Sequence, residues 1–459
     1  MNTLIALSIL AIVVLYLGLY KAKNALLPVT MLGLAAALGL AVMEWNSNAI
    51  PIYSGMMLFD NFAIAFSAIC IFSTMLILLV SKDYFERISE HVAEYYAIII
   101  FALVGIVVMV SYHNLSMLFI GIEIMSVSLY ILAGIRKKSF ASNEAALKYF
   151  LMGAFSTGFL LFGITLLYGA TGSFDLGEIK QYVIINTTHI SPLFFGGILL
   201  LIIGLCFKVG VAPFHFWVPD VYEGSPTLIT AFMSTVVKTA AFAAFLRIFL
   251  ICFAPLHDFW MLPLLVMTVI TLFIGNITAL YQHSFKRMLT YSSVSHAGYM
   301  MFAIVALGAS SVNAVFVYAT AYSVATIIAF AVLILIKRQT GSDSFDSFNG
   351  LAKQNPFMAF TLTVAMLSLA GIPLTAGFIG KFMMFSSAIS EYQIWLVVLA
   401  VVNAIIGIFY YLRVVVAMYF KDSERSAVPV SGLFKLVLAF SAIITVILGI
   451  YPGVISNLF

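Results

Sequence analysis

The chain has 459 residues, of which 63% are hydrophobic and only 9% charged, with a formal net charge of +4. A soluble domain carries about 25% charged residues, so a water-facing surface cannot be built from this stock, and the small positive balance gives no footprint for nucleic acid. Runs such as Leu199–Leu205 and Leu396–Val402 lack the every-second-residue alternation of a barrel strand, which leaves an all-α polytopic membrane protein surrounded by a lipid bilayer.

At about 20 apolar residues per crossing, fourteen spans are predicted. They lie near 2–20, 25–44, 61–80, 92–111, 114–134, 147–170, 192–212, 225–253, 258–281, 284–308, 311–337, 356–389, 392–420 and 430–457. The first span has no basic leader and runs apolar for too long to be a signal h-region, so it reads as retained rather than cleaved. The thinnest separations are Tyr112, His113 and Asn114 between spans four and five, and Gly308 to Ser311 between ten and eleven. Cys70, Cys206 and Cys252 sit singly in apolar runs with no CxxC pair. That argues against an iron–sulfur or zinc site on this chain and against a disulfide framework.

The distribution of basic residues gives an orientation. With the N-terminus outside, the cytoplasmic loops hold Lys21, Lys23, Lys82, Arg87, Arg136, Lys137, Lys138, Lys286, Arg287, Lys337, Arg338, Lys353, Lys421 and Arg425. Lys148, Arg413 and Lys435 flank that side, against Lys180 and Arg247 on the other. Seventeen against two places both termini in the periplasm.

Two spans read as interrupted. Span seven runs into Lys208-Val-Gly-Val-Ala-Pro213, and span twelve carries Gly371-Ile-Pro373 at its middle. Proline removes a backbone donor, and inside a membrane such a break survives only where protein or trapped water satisfies the freed groups. Paired broken helices point to inverted repeats. The expected organisation is an N-terminal three-helix segment at 1–80, a first five-helix repeat at 92–253 (spans four to eight), a second at 258–420 (spans nine to thirteen), and a C-terminal helix at 430–459.

Four ionisable residues fall deep inside spans: Glu123 in GIEIMSVSLYIL, Lys208 in GLCFKVGVAP, Lys238 in STVVKTAAFAAF and Lys381 in GFIGKFMMF. Each costs about 2.5–3.5 kcal/mol on the lenient insertion scale, so the set costs roughly 10 kcal/mol without compensation. Snorkelling to an interface suits Lys148 or Arg413 but not Lys238, which has long apolar flanks on both sides. A purely structural Glu123–Lys208 ion pair is the other bland reading. The functional one is proton transfer: burial and a neighbouring carboxylate act on a lysine in opposite directions, and a lysine balanced between them can exchange a proton near neutral pH.

Polar companions are available in Ser234, Thr235, Thr239, Ser292, Ser293, Ser295, Tyr322 and Ser323, with His296 and His215 as candidate relays or packing residues. Neither histidine has metal-ligand spacing. There is no GxxxxGK[ST] loop and no GxGxxG after a strand, so no nucleotide site is recognisable. The longest hydrophilic stretches, 81–91 and 338–355, are too short to fold as domains. Electron-transfer chemistry therefore belongs to partners.

The stretch KVGVAPFHFWVPDVYEGSPTLITAFMSTVVK resembles the antiporter-like subunit family of complex I, and its YEGSPT run is similar to the subunit N branch found in bacterial NADH:quinone oxidoreductase. SFKRMLTYSSVSHAGYMM and GIPLTAGFIGKFMMF fit the same branch. The likeness covers most of the chain from about span four onward. It implies fourteen helices in two inverted five-helix repeats with broken helices seven and twelve, at Pro213 and Pro373. It implies no cofactor on this chain, with FMN, iron–sulfur clusters and quinone held elsewhere in the complex. Other membrane subunits, both antiporter-like neighbours and small ones, and a peripheral redox arm would be its partners, in a bacterial inner membrane. The family's proton-relay residues fall on Glu123, Lys208, Lys238 and Lys381. Lysine rather than glutamate in span twelve separates this branch from another antiporter-like one.

The expected activity is proton translocation driven by quinone reduction, as one part of an oxidoreductase. Subunits of multi-part sodium/proton antiporters share some of these motifs and stand as the alternative, and a structural membrane scaffold is the other.

Overall fold

The computed structural model describes residues 1–47, 50–85, 91–186, 189–390, 394–423, 427–456 and 458. Among them the chain is helical, with isolated β-bridges and no strand. Arg87 and Arg425 of the basic loops, and the first residues of span thirteen, lie outside the described residues.

The first helices are α1 (Asn2–Leu19), α2 (Lys23–Met43), α3 (Asn61–Leu79), α4 (Val92–Val110), α5 (Leu115–Ala133), α6 (Phe140–Thr171), α7 (Pro192–Val209), α8 (Trp217–Gly224) and α9 (Thr227–Phe232). A π-helical turn, Met233–Val237, leads into α10 (Lys238–Ile248). Then come α11 (His257–Leu280), α12 (Phe285–Ala306), α13 (Ser311–Thr340), α14 (Pro356–Ala370), α15 (Ala376–Ser390), α16 (Ile394–Phe420) and α17 (Gly432–Ile450). Eleven helical stretches among the described residues are long and apolar enough to cross a membrane, with Thr227–Leu280 counted as one. Pro356–Ala370 and Ala376–Ile389 are shorter apolar helices.

Local chemistry explains where helices stop. The thin separation before α5 is made by Asn114, whose side chain accepts from Ser116 N at 2.9 Å and caps the helix. The one after α12 is made by Leu307, held left-handed at φ 44°. Helix α6 begins at Phe140 rather than 147. Ser139 caps its start, and the polar first turns add a Lys148–Glu144 ion pair at 2.8 Å on one face.

The chain divides into two compact units. One comprises Met1–Leu78, Lys82–Gly210 and Val236–Leu264; the other comprises Leu79–Ser81, Val211–Thr235 and Leu265–Phe459. Lipid is as apolar as leucine, so helices in a membrane associate through close packing, and small residues at the contact permit it. In the first unit α4 and α5 meet at Gly105 and Gly121. A Cβ on Gly105 would lie 2.6 Å from Met125 N, and one on Gly121 would lie 2.6 Å from Met109 N. Helices α6 and α7 meet likewise, with a Cβ on Gly163 falling 2.9 Å from Gly197 O. In the second unit α13 is buried along its middle, from Ala314 to Ile336, and packs against α14, α15 and α17.

Candidate functional site

Lys208 lies in the last turn of α7, where unpaired carbonyl groups give the helix end a partial negative charge that suits a cation. Its Nζ donates to Ser126 Oγ at 2.7 Å, and Ser126 in turn donates to Ile122 O at 2.5 Å. Ser126 follows Glu123 by one helical turn on α5, which puts both on the same face. The Glu123 carboxylate acts electrostatically on Lys208, and its Oε1 is buried with no hydrogen-bond partner among the described residues. The structure therefore brings Glu123 and Lys208 into one cluster and adds Ser126 to it.

Lys238 is the first residue of α10, directly after the π-helical turn. Such turns are rare and concentrate at functional positions. The three lysines expose only 6% (Lys208), 2% (Lys238) and 7% (Lys381) of their surface. Lys238 shares the first unit with Glu123 and Lys208; Lys381 belongs to the second.

Lys381 on α15 reaches back to the end of α14. Its Nζ donates to Leu369 O at 3.0 Å and Ala370 O at 2.8 Å, the orphan carbonyls of that helix, and lies 4.9 Å from the centre of the Tyr299 ring. Gly371 turns the chain at φ +86°, and a Cβ there would meet Lys381 Cδ at 2.7 Å. Only glycine suits both demands.

The two breaks are built alike. Pro213 lies in the non-helical stretch between α7 and α8, and Pro373 in that between α14 and α15. A hydroxyl satisfies a freed backbone N–H at each: Thr271 accepts from Ala212 N at 2.9 Å, and Ser368 accepts from Gly377 N at 3.1 Å.

His296 on α12 is buried between two tyrosines, with Nδ1 2.7 Å from Tyr318 Oη and Nε2 3.0 Å from Tyr411 Oη. His215 is buried beside the first break, and its Nδ1 has no hydrogen-bond partner among the described residues. Among those residues no group of three or more His, Cys, Asp and Glu is placed to hold a metal. Ser126, Thr271, Ser368, Tyr318 and Tyr411 escaped the reading of the sequence. For Ser126 a signal existed in its one-turn spacing from Glu123.

Broken helices whose ends hold buried lysines, in an otherwise apolar helical chain, define a polytopic membrane protein of the antiporter-like kind. A family profile described as "NADH:quinone oxidoreductase/Mrp antiporter, TM" matches residues 112–407. NADH-quinone oxidoreductase subunit N of Flavobacterium psychrophilum is 40% identical over 100% of both chains. That of Trichlorobacter lovleyi is 40% identical over 98% of this chain and 94% of its own. A chain in respiratory complex I from Thermus thermophilus superposes with TM-score 0.84 at 33% identity, covering 99% of this chain and 98% of that one. A chain of the Mrp complex from Dietzia shares the fold, with TM-score 0.89 at 18% identity over 99% of this chain and 95% of that one. The chain belongs to the NADH:quinone oxidoreductase/Mrp antiporter family.

Proposed function

We propose that this chain is the proton-translocating, antiporter-like membrane subunit of a NADH-quinone oxidoreductase, working beside other membrane subunits and a peripheral redox arm. The observation that carries the reading is the cluster of Glu123, Ser126 and Lys208 at the end of a broken helix, in a chain full-length similar to subunit N relatives. A buried ammonium held by one hydroxyl, with a carboxylate acting on it, is suited to gaining and losing a proton.

The proton comes from the cytoplasmic side, is held at Lys208 under the influence of Glu123, passes through Lys238 to Lys381, and leaves toward the periplasm. His296 and His215 are relay residues of second rank. The chain crosses a bacterial inner membrane fourteen times, with both termini periplasmic. It carries an N-terminal segment at 1–80, repeats at 92–253 and 258–420 in inverted orientation, and a last helix at 430–459. Paired breaks at Pro213 and Pro373 support the repeat. FMN, iron–sulfur clusters and quinone belong to the redox arm and its junction with the membrane, and the protein takes part in an enzyme without holding a redox centre itself.

The test is Lys208→Ala in the assembled complex, reconstituted in vesicles, with proton uptake read against NADH oxidation. Loss of pumping with assembly intact is the expected result. Full pumping removes Lys208 from the path, and sodium-dependent transport by the isolated chain would favour an autonomous antiporter instead.

A further inference from the structure

The hydrogen bonds around His296 form a line. Tyr318 meets Nδ1 at 2.7 Å, Tyr411 meets Nε2 at 3.0 Å, and the Tyr411 hydroxyl continues to Ser292 Oγ. All four side chains are buried, contributed by α12, α13 and α16. A neutral imidazole has one N–H and one bare nitrogen, so one tyrosine must donate while the other accepts. An imidazolium donates from both nitrogens, and both hydroxyls accept.

We infer that Tyr318, Tyr411 and Ser292 are positioning residues that set which nitrogen of His296 carries the proton and give the ring a connection on each side. The inference rests on the reading of the chain as a proton translocator.

In one arrangement the Ser292 hydroxyl donates to Tyr411, the Tyr411 hydroxyl donates to Nε2, and Nδ1–H donates to Tyr318. A proton reaching the Ser292 oxygen is matched by transfer of that hydroxyl's own hydrogen to the Tyr411 oxygen, and of Tyr411's own hydrogen to Nε2. One O–H bond breaks at Tyr411 as another forms there, one N–H bond forms, both hydroxyls stay neutral and the ring becomes imidazolium. Release breaks the Nδ1–H bond: that proton goes to the Tyr318 oxygen, and Tyr318 passes its own onward. No electron changes hands and every hydroxyl ends neutral. The ring ends with hydrogen on Nε2, the opposite tautomer. A second proton from the same side must wait until ring and hydroxyls have turned back, so the line passes one proton per reset and does not stand open as a leak.

Tyr318 and His296 border a cavity of about 10 Å3, which Tyr322, Ser368 and Leu369 also line. Leu369, a residue of that lining, accepts from Lys381 Nζ through its carbonyl at 3.0 Å, so the Tyr318 end of the line is the Lys381 end.

The experiment uses the intact complex carrying Tyr411→Phe or Tyr318→Phe, labelled with 15N-histidine, with the His296 signals assigned by their loss in His296→Gln. Solid-state NMR separates bare from protonated ring nitrogens, and proton pumping is read in vesicles against NADH oxidation. An unpartnered buried N–H is avoided more strongly than an unpartnered lone pair. Tyr411→Phe should therefore move His296 to the Nδ1–H form, and Tyr318→Phe to the Nε2–H form. Pumping should fall roughly ten- to a hundredfold in each, the size of one hydrogen bond to a charged group. The same tautomer in both variants, or opposite tautomers with undiminished pumping, overturns the inference. If Lys208→Ala still abolishes pumping, the proposed function survives that result; if it does not, both readings fail.

Discussion

The Lys208 ammonium and the Ser126 hydroxyl lie 2.7 Å apart, although 82 positions separate them in the chain. Ser126 spends its own hydrogen on Ile122 O, so it faces Lys208 as an acceptor only. An acceptor held in that way is available to an N–H of Lys208 whatever the state of the carboxylate nearby. The carboxylate of Glu123, one turn earlier, is thus assisted by a neutral group that cannot be titrated away.

Ser126→Ala tests that assistance. A hydrogen bond to a charged group contributes about 1.5–3 kcal/mol, so the variant should hold the proton at Lys208 less well by roughly ten- to a hundredfold. Assembly should persist, since one small buried hydroxyl is lost. Vesicle acidification per NADH oxidised is the measurement, and an unchanged ratio would show that the contact is idle.

Gly371→Ala should damage the second break. A left-handed conformation costs an L-residue about 1–2 kcal/mol, and the new methyl would meet Lys381 Cδ at 2.7 Å. The expected outcome is a lower midpoint of thermal unfolding together with reduced pumping, because Lys381 cannot keep its bonds to Leu369 and Ala370. A variant that melts and pumps like the parent would contradict the geometry.

Gly121→Val should weaken assembly rather than turnover. Its Cβ would sit 2.6 Å from Met109 N, where the obstacle is backbone and cannot swing aside. Overpacking of this sort costs about 1–3 kcal/mol when side chains can yield, and the cost is larger here. Native gels of solubilised membranes should show less intact complex, while any complex recovered keeps its ratio of protons to NADH.

One pH dependence lies outside the membrane-spanning segments. Burial pushes the Asp343 carboxyl up, but the hydrogen bond and charge of Lys337, at 2.7 Å, together with Lys286 and Ser284, outweigh it and hold the group below the ordinary carboxylate value of 3.8. A group depressed in the folded state stabilises the fold above its unfolded value and loses that contribution as pH falls through the folded one. Lys337→Met should therefore lower the unfolding midpoint at neutral pH and flatten its decline below about pH 4. Parallel acid profiles for parent and variant would show that the pair contributes nothing.

Much of the candidate site could be read from the chain because a charge stands out against an apolar background. Glu123, Lys208, Lys238 and Lys381 are conspicuous on grounds of solvation alone, and Pro213 and Pro373 announce breaks because they lack a donor. The hydroxyl partners are of another kind. Ser126, Ser368 and Tyr411 are common residues that cost little inside a helix, and their roles come from neighbours on distant helices. The π-helical turn before Lys238 was equally hidden, since a shift in backbone hydrogen-bond register leaves no mark in residue type. The early start of α6 was missed because its first turns are polar and read as loop, while Ser139 and the Glu144–Lys148 pair make them helix.

The meeting of Gly105 with Gly121 carries a mechanical consequence for Glu123, two positions further along α5. Main chain rests on main chain there, so neither helix has room to roll or slip past its neighbour. The Cα of Glu123 is in effect bolted down, and its carboxylate can answer a change in field only by rotating about its own side-chain bonds. If Lys208 carries the proton as proposed, Glu123 answers its state by side-chain rotation alone, with no movement of α5 against α4.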